Sequence, residues 1–191
     1  MRILGIGGSP GKGGFTNKLL DAALNGAASG GGVVPEKIIL NELIFKPCQE
    51  CGGCDKTGRC VFKDDMEIVY KKFKEADAVI IASPIFFGSV SAQLKMMIDR
   101  FQTAWVSKYI LKKYDTRKAR RKGIFLCAAG QDKKEYFENA RQIVRIFFTT
   151  LDIDYIGELF FGGYNTKSRD DKEKKSALER AFELGASLLG A

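Results

Sequence analysis

Short apolar runs alternate with stretches whose apolar residues recur at helical spacing, and this alternation leaves few architectures open to the chain. The run Arg2–Gly7 reads as a buried strand ending in glycine. After the loop 8–15, Leu19, Leu20, Ala23, Leu24 and Ala27 mark a helix closed by Gly30-Gly31-Gly32. Residues 37–43 read as strand two. Asp64 or Asp65 caps a helix running to about Glu75. Residues 78–82 are apolar throughout, as expected of a strand covered on both faces. Val90, Leu94, Met97, Ile98 and Phe101 stripe the next helix, and 123–129 is strand four. Phe137, Ala140, Val144, Phe147, Phe148 and Leu151 mark a further helix. Residues 155–161 form strand five, and Leu178, Ala181, Phe182, Leu188 and Leu189 stripe the last helix. The pattern predicts an α/β chain with a doubly wound, five-stranded parallel sheet. With no repeat, linker or low-complexity stretch, 1–191 reads as a single domain.

A cysteine-rich loop at about 47–63 interrupts this pattern. Cys48, Cys51, Cys54 and Cys60 follow C-x2-C-x2-C-x5-C in a chain with one other cysteine, Cys127. Two-residue spacers let thiolates converge on a small centre, and Gly52, Gly53 and Gly58 offer positive-φ freedom to the turns. The spacing is that of bacterial-type iron–sulfur ligation. Zinc is the first alternative, although four-cysteine zinc sites usually pair two knuckles across a longer gap. Disulfides are a second alternative and free thiols a third. Cys127, within the run 124–129, reads as a core residue.

Composition narrows the chemistry. The sequence has no histidine, which excludes Ser-His-Asp and Cys-His catalysis, histidine-ligated haem and mixed Cys/His zinc sites. The chemistry therefore leans on a cofactor, a metal or carboxylates, and no catalytic acid or base is assigned. The start of the chain lacks a signal-peptide pattern and no apolar run is long enough for a bilayer, so a cytoplasmic location and no membrane partner are expected. The net charge of +8 suits an anionic partner.

Two loops point to a flavin. The first, 7–17, carries Ser9, Pro10, Lys12, Gly14, Thr16 and Asn17 between strand one and helix one, where loop amides and a helix N-terminus form an anion site. It is neither a Walker A loop nor a correctly placed dinucleotide fingerprint. The plain alternative is a flexible glycine-rich turn. The second loop, Ser83-Pro84-Ile85-Phe86-Phe87-Gly88, follows strand three with aromatic groups suited to a flat ring, or alternatively to core packing. In a flavodoxin-like sheet of order 2-1-3-4-5 both loops flank the topological switch, where FMN binds. Ala129 and Gly130 open onto the same edge. The cysteine loop also leaves strand two there, which places the four cysteines on the flavin side, facing the chain's own FMN or one across a subunit contact.

Together these motifs resemble the iron–sulfur flavoproteins of the NADPH-dependent FMN reductase superfamily. The carrying residues are Gly8-Ser9-Pro10…Thr16, Cys48…Cys60 followed by Asp64-Asp65-Met66, the 83–88 loop, and Leu94-Lys95…Asp99-Arg100. The resemblance implies a homodimer or homotetramer with FMN held by the three loops. It also implies a 4Fe–4S cluster on the four cysteines, exchanging electrons with that flavin. Gly11 stands where the family often has arginine and Phe15 where it has asparagine, leaving Lys12 to supply charge. Ferredoxin or NAD(P)H is the implied donor, and a small molecule the acceptor. Cluster-free NAD(P)H-dependent FMN or quinone reduction, and a non-enzymatic flavodoxin-like carrier, are the alternatives.

Lys108, Lys112, Lys113, Arg117, Lys118, Arg120, Arg121 and Lys122, with Trp105, Tyr109 and Tyr114 among them, form a basic run. It reads either as a solvated connection or as a dock for an acidic ferredoxin or the phosphates of NADPH. No nucleic-acid-binding module is present.

Overall fold

A computed structural model describes residues 1–113, 120–164 and 170–189. The strands are β1 (Arg2–Gly7), β2 (Val34–Ile39), β3 (Ala78–Phe86), β4 (Ser89–Val90), β5 (Arg121–Ala128) and β6 (Ile153–Phe161). The helices are α1 (Phe15–Ala28), α2 (Met66–Glu75), α3 (Ala92–Arg100), α4 (Gln102–Trp105), α5 (Lys134–Thr150) and α6 (Asp171–Ser187). A 3-10 turn, Leu40–Glu42, follows β2, and a π-helical stretch, Val106–Ile110, continues α4.

Five strands form a parallel sheet of order β2-β1-β3-β5-β6, the flavodoxin-like doubly wound arrangement. The expected five-stranded sheet gains a sixth member, because β4 folds back antiparallel on β3 through the pairs Ile85–Val90 and Phe86–Ser89. A two-residue strand leaves no readable period in the sequence.

Strand boundaries follow partner length rather than hydropathy. β2 begins and ends before the expected 37–43, because its register with β1 runs from Arg2–Val34 to Gly7–Ile39. Pro35 is tolerated there because β2 is an edge strand. β3 runs past 82 to Phe86, so the residues expected to be loop at 83–86 are strand. β5 starts at the charged Arg121, not Gly123, and ends at Ala128. The buried Arg121 guanidinium donates to the carbonyls of Phe73 (2.8 Å) and Leu151. β6 begins at Ile153 instead of Tyr155, and of the two residues expected to cap α2, Asp64 accepts from the Met66 N–H (3.2 Å) while Asp65, at the cap position, makes no side-chain cap bond.

Alternate strand residues face opposite layers. Leu4, Ile6, Val79, Ile81, Phe125 and Cys127 pack with residues of α2, α3 and α5, whereas Ile3, Ile80, Ala82, Ile124 and Leu126 pack with α1 and α6. Cys127 is a buried core thiol, as expected. Phe182, expected on the α6 stripe, is exposed instead. The buried face of α6 is made of Ala177, Ala181 and Gly185, because α6 approaches α1 at backbone distance. A Cβ at Gly26 would lie 1.9 Å from the Phe182 carbonyl oxygen, and one at Gly185 would lie 1.8 Å from that of Ala23.

Gly185→Ala is therefore expected to force these helices apart and destabilise the fold by about 2 kcal/mol, the usual range for overpacking. Urea unfolding followed by circular dichroism measures the loss. Ala at the open position Gly31, which has a positive φ but no neighbour within 4 Å, is expected to cost less.

Candidate functional site

The loop after β1 turns sharply into α1 at the carboxyl edge of the sheet. Gly14, the N-cap, is extended and contributes no side-chain cap, and the first turn of α1 holds no acidic residue. The helix thus presents its positive end with the cap position open. Within the loop, the Gly11 N–H donates to Ser9 Oγ (3.3 Å), and Asn17 Nδ2 donates to the Gly11 carbonyl (2.9 Å). Ser9, Thr16 and Asn17 are buried, Pro10 and Gly14 are half-buried, and Lys12 is exposed at the rim. Asn17 Oδ1 is buried without a hydrogen-bond partner.

A serine pair ties this loop to the next strand. The Gly8 N–H donates to the Ala82 carbonyl (2.8 Å), and Ser91 Oγ donates to the Gly8 carbonyl (2.5 Å). Ser91 Oγ also accepts from the Leu94 N–H at the start of α3 (3.2 Å), and Ser83 Oγ accepts from the Ser91 N–H (3.0 Å). The expected cofactor residues 83–88 consequently divide. Ser83, Pro84 and Ile85 are buried, and the Ser83 hydroxyl is occupied inside the fold, donating to the Pro84 carbonyl (2.8 Å). Phe86 and Phe87 are exposed at the strand's end. Phe87 takes the left-handed conformation, φ 49°, uncommon for an aromatic residue. Gly88 completes the turn, and its carbonyl accepts from Asn139 Nδ2 of α5 (2.7 Å).

Ala129 is buried and Gly130 half-buried after β5. The Ala129 carbonyl accepts from the Tyr164 N–H (3.0 Å), and the Tyr164 ring stacks on Phe15 at 5.1 Å. Tyr164 thereby joins the loop after β6 to the first loop. Sequence reasoning passed over it because an isolated tyrosine after a strand carries no local signature.

The cysteine loop is rooted at this edge, where Asn41 Nδ2 donates to the Pro10 carbonyl (3.4 Å). From there it packs along α2 and α3. Cys60 lines a cavity of about 870 Å³ shared with Tyr70, Phe101 and Arg121, and therefore reaching the amino end of β5. Gly52 and Gly58 have positive φ, but Gly53 does not, and Glu50 adopts the left-handed conformation as well. Gly53 is needed for space instead: a Cβ there would lie 2.5 Å from Val61 Cγ1. All four cysteines are free thiols. Burial, Asp55 and the nearby Cys48 and Cys60 raise the Cys54 pKa. The thiols suit a metal–sulfur centre in type and are neighbours, yet no three metal-ligating residues converge into a metal-binding group among the described residues.

Arg100, the last residue of α3, is 1% exposed and closes this loop. Its Nη1 donates to the Lys46 carbonyl (2.7 Å) and Asp64 Oδ2 (2.6 Å), and its Nη2 to Asp64 Oδ1 (3.0 Å). Burial alone would raise the Asp64 carboxyl, but hydrogen bonds from Arg100 and from the Lys46 and Met66 amides outweigh it and hold the pKa down. Asp65 accepts from the Ile44 N–H (2.7 Å) rather than capping α2.

Part of the basic run is structural. Lys108 pairs with Asp152 (2.6 Å) and Arg120 with Asp154 (3.2 Å), while Tyr114, Arg117 and Lys118 lie outside the described residues. Among the described residues no helix is long and apolar enough to cross a membrane.

A family model described as NADPH-dependent FMN reductase matches residues 1–165. The chain belongs to this family. An iron–sulfur flavoprotein of Methanocaldococcus jannaschii is 33% identical over 163 residues, covering 85% of this chain and 78% of the relative. Another from the same organism is 45% identical over 100 residues, 52% of this chain and 51% of the relative. The chain spans about half the length of the first curated relatives it matches. Among solved structures, an NAD(P)H:quinone oxidoreductase from Methanothermobacter marburgensis superposes with a TM-score of 0.74 at 21% identity, over 100% of this chain and 97% of that one, a likeness of fold.

In this FMN reductase family member the depressed Asp64 pKa has a defined sign. Its stabilisation is complete above the ordinary carboxyl pKa of 3.8 and is lost as pH falls through the lower folded value. The stability difference between wild type and Asp64→Asn, read from urea midpoints, is expected to be largest near neutrality and to shrink below about pH 4.

Proposed function

We propose that the protein is a flavin-dependent oxidoreductase that binds FMN at the carboxyl edge of the sheet and passes electrons to a small-molecule acceptor. The observation that carries this reading is the uncapped, acid-free N-terminus of α1, set at the β1/β3 switch beside the exposed Phe86 and Phe87. The donor set fits the cofactor. Backbone amides of the first loop, with Ser9, Pro10, Lys12, Gly14 and Thr16, offer a phosphate site, and the unpartnered Asn17 Oδ1 offers an acceptor to a ligand hydroxyl. Phe86 and Phe87, on the turn closed by Gly88, shield a flat ring from water. Ser83, Pro84 and Ile85 stiffen the strand beneath it, and Ala129 and Gly130 border it from β5.

Cys48, Cys51, Cys54 and Cys60 are the proposed ligands of a 4Fe–4S cluster, supported by their spacing, their free thiols and the names of the curated relatives. Bound FMN would supply one- and two-electron exchange and the cluster one-electron exchange, while the chain orients both and excludes water. NAD(P)H or a ferredoxin is the proposed donor, in a cytoplasmic homodimer or homotetramer formed by the single domain 1–191. The other reading, cluster-free NAD(P)H-dependent flavin or quinone reduction, is favoured by the lack of a converged metal-binding group among the described residues. Replacing all four cysteines by serine separates the two. Unchanged flavin bleaching by NADPH supports the cluster-free reading, whereas about four iron and four sulfide per wild-type chain after anaerobic reconstitution support the cluster.

The phosphate site has its own test. Gly14 has an ordinary extended φ of −64°, and an added Cβ would come no nearer than 3.6 Å to another atom, so a side chain fits there. Gly14→Asp would cap the helix with its own carboxylate and repel a phosphate. FMN affinity by fluorescence titration is expected to fall at least about tenfold, equivalent to some 1.4 kcal/mol, while Gly14→Ala stays near wild type. Equal affinity in Gly14→Asp and wild type would remove α1 from the site.

A further inference from the structure

We propose that Arg100 is the positioning residue of the cysteine loop, a buried clamp that holds the two ends of the loop together so that one metal–sulfur centre can assemble between them. The inference rests on the reading of the four cysteines as ligands of such a centre. Its support is geometric. The Lys46 carbonyl lies two residues before Cys48, and the Asp64 carboxylate lies four residues after Cys60. One guanidinium reaches both: Nη1 bonds the carbonyl and one carboxylate oxygen, and Nη2 bonds the other. A planar fork makes these bonds from two nitrogens at fixed spacing, whereas an ammonium donates from a single nitrogen and does not reproduce the bidentate geometry.

The clamp extends to both flanks. Asp64 accepts from the Lys46 N–H (3.3 Å) and the Met66 N–H (3.2 Å), so one carboxylate ties the entry of the loop to its exit and to the first turn of α2. The guanidinium carbon lies 5.5 Å from the centroid of the Phe62 ring, two residues beyond Cys60. Tyr70 donates to the Arg100 carbonyl (2.8 Å), fixing the end of α3 against α2. Arg100 is almost wholly buried although it carries a charge, at a position that packing alone would give to leucine or methionine. Its Nε–H is buried without a partner, so the fork is placed by its two Nη groups rather than by complete satisfaction of the side chain. With the ends closed, the three-cysteine run and Cys60 are confined to one closed loop before any metal arrives, and assembly does not have to pay the full entropy of closing it.

The test uses the FMN-loaded protein in iron-free and anaerobically reconstituted forms. The variants are Arg100→Gln, Arg100→Lys and the apolar pair Asp64→Leu/Arg100→Met, which removes both charges together and so avoids leaving one buried alone. The first readout is the rate of tryptic cleavage after Lys56 and Arg59, both exposed in the loop. The second is the iron-to-flavin ratio. Arg100→Gln is expected to speed cleavage in the iron-free protein at least about tenfold and to lower the iron-to-flavin ratio at least about threefold, with FMN content and native circular dichroism retained although the unfolding midpoint falls. Arg100→Lys is expected to recover part of both losses. If Arg100→Gln does not fold, the apolar pair carries the same expectation. Wild-type cleavage rates in a folded variant would overturn the clamp. Faster cleavage with undiminished iron would overturn its role in assembling the centre. Wild-type protein that takes up no iron would defeat the cluster reading itself, and the cleavage rates would still decide whether Arg100 closes the loop.

Discussion

The winding of the sheet reverses at β1, and the rest of the molecule is arranged around that reversal. β1 lies between β2 and β3, so the chain leaving its carboxyl end enters a crevice that no crossover helix fills. The crevice stays shaped because its walls are joined by short polar bonds. Gly8 is fastened to β3 through the Ala82 carbonyl and to the start of α3 through Ser91, and Ser91 is fastened in turn to Ser83. A Cβ on Gly8 would approach Leu94 Cβ at 3.0 Å and the Ala82 carbonyl oxygen at 3.2 Å, so the strands draw in around a glycine backbone. What remains open at this edge is an uncapped helix end and two exposed aromatic rings, a combination suited to a ligand with an anionic tail and a flat head.

A second polar junction governs the other unusual segment. In the Arg100–Asp64 pair the guanidinium is buried and the carboxylate half-buried; buried pairs contribute little net stability beyond a well-packed apolar replacement, although breaking one partner alone commonly costs about 3–5 kcal/mol. What the pair supplies here is specification. A segment rich in glycine and polar residues, with few apolar anchors, would otherwise have many ways to leave β2 and re-enter at α2. One fork of hydrogen bonds to a carbonyl and a carboxylate selects among them. The two junctions meet at Asn41, which donates to the Pro10 carbonyl while accepting from Gln93 at 3.1 Å, so the flavin loop and the root of the cysteine loop share a support.

Some of this was legible in sequence because it depends on local spacing. The apolar runs at β1, β3 and β5, the helical stripes of α1 and α5 and the core position of Cys127 follow from period and composition alone. Other features depend on partners distant in sequence. β2 ends at Ile39 because β1 ends at Gly7. Phe182 turns outward because Gly185 lets α6 lie against the backbone of α1. Arg121 begins a strand and lies buried because the carbonyls of Phe73 and Leu151 accept its donors, an arrangement a basic run cannot announce. Gly53 looked like a source of positive φ, yet it serves the side chain of Val61.

By itself the sequence determined the doubly wound architecture, the positions of three loops at one sheet edge, the absence of histidine chemistry and the grouping of four thiols in one segment. All of these are consequences of periodicity, composition and chain order. Only the tertiary structure decided which residues of those loops face outward, that Tyr164 closes on Phe15, and that Arg100 joins the ends of the cysteine loop. The reason is physical: a side chain's exposure and its hydrogen-bond partners are set by atoms that become neighbours only after the sheet has formed.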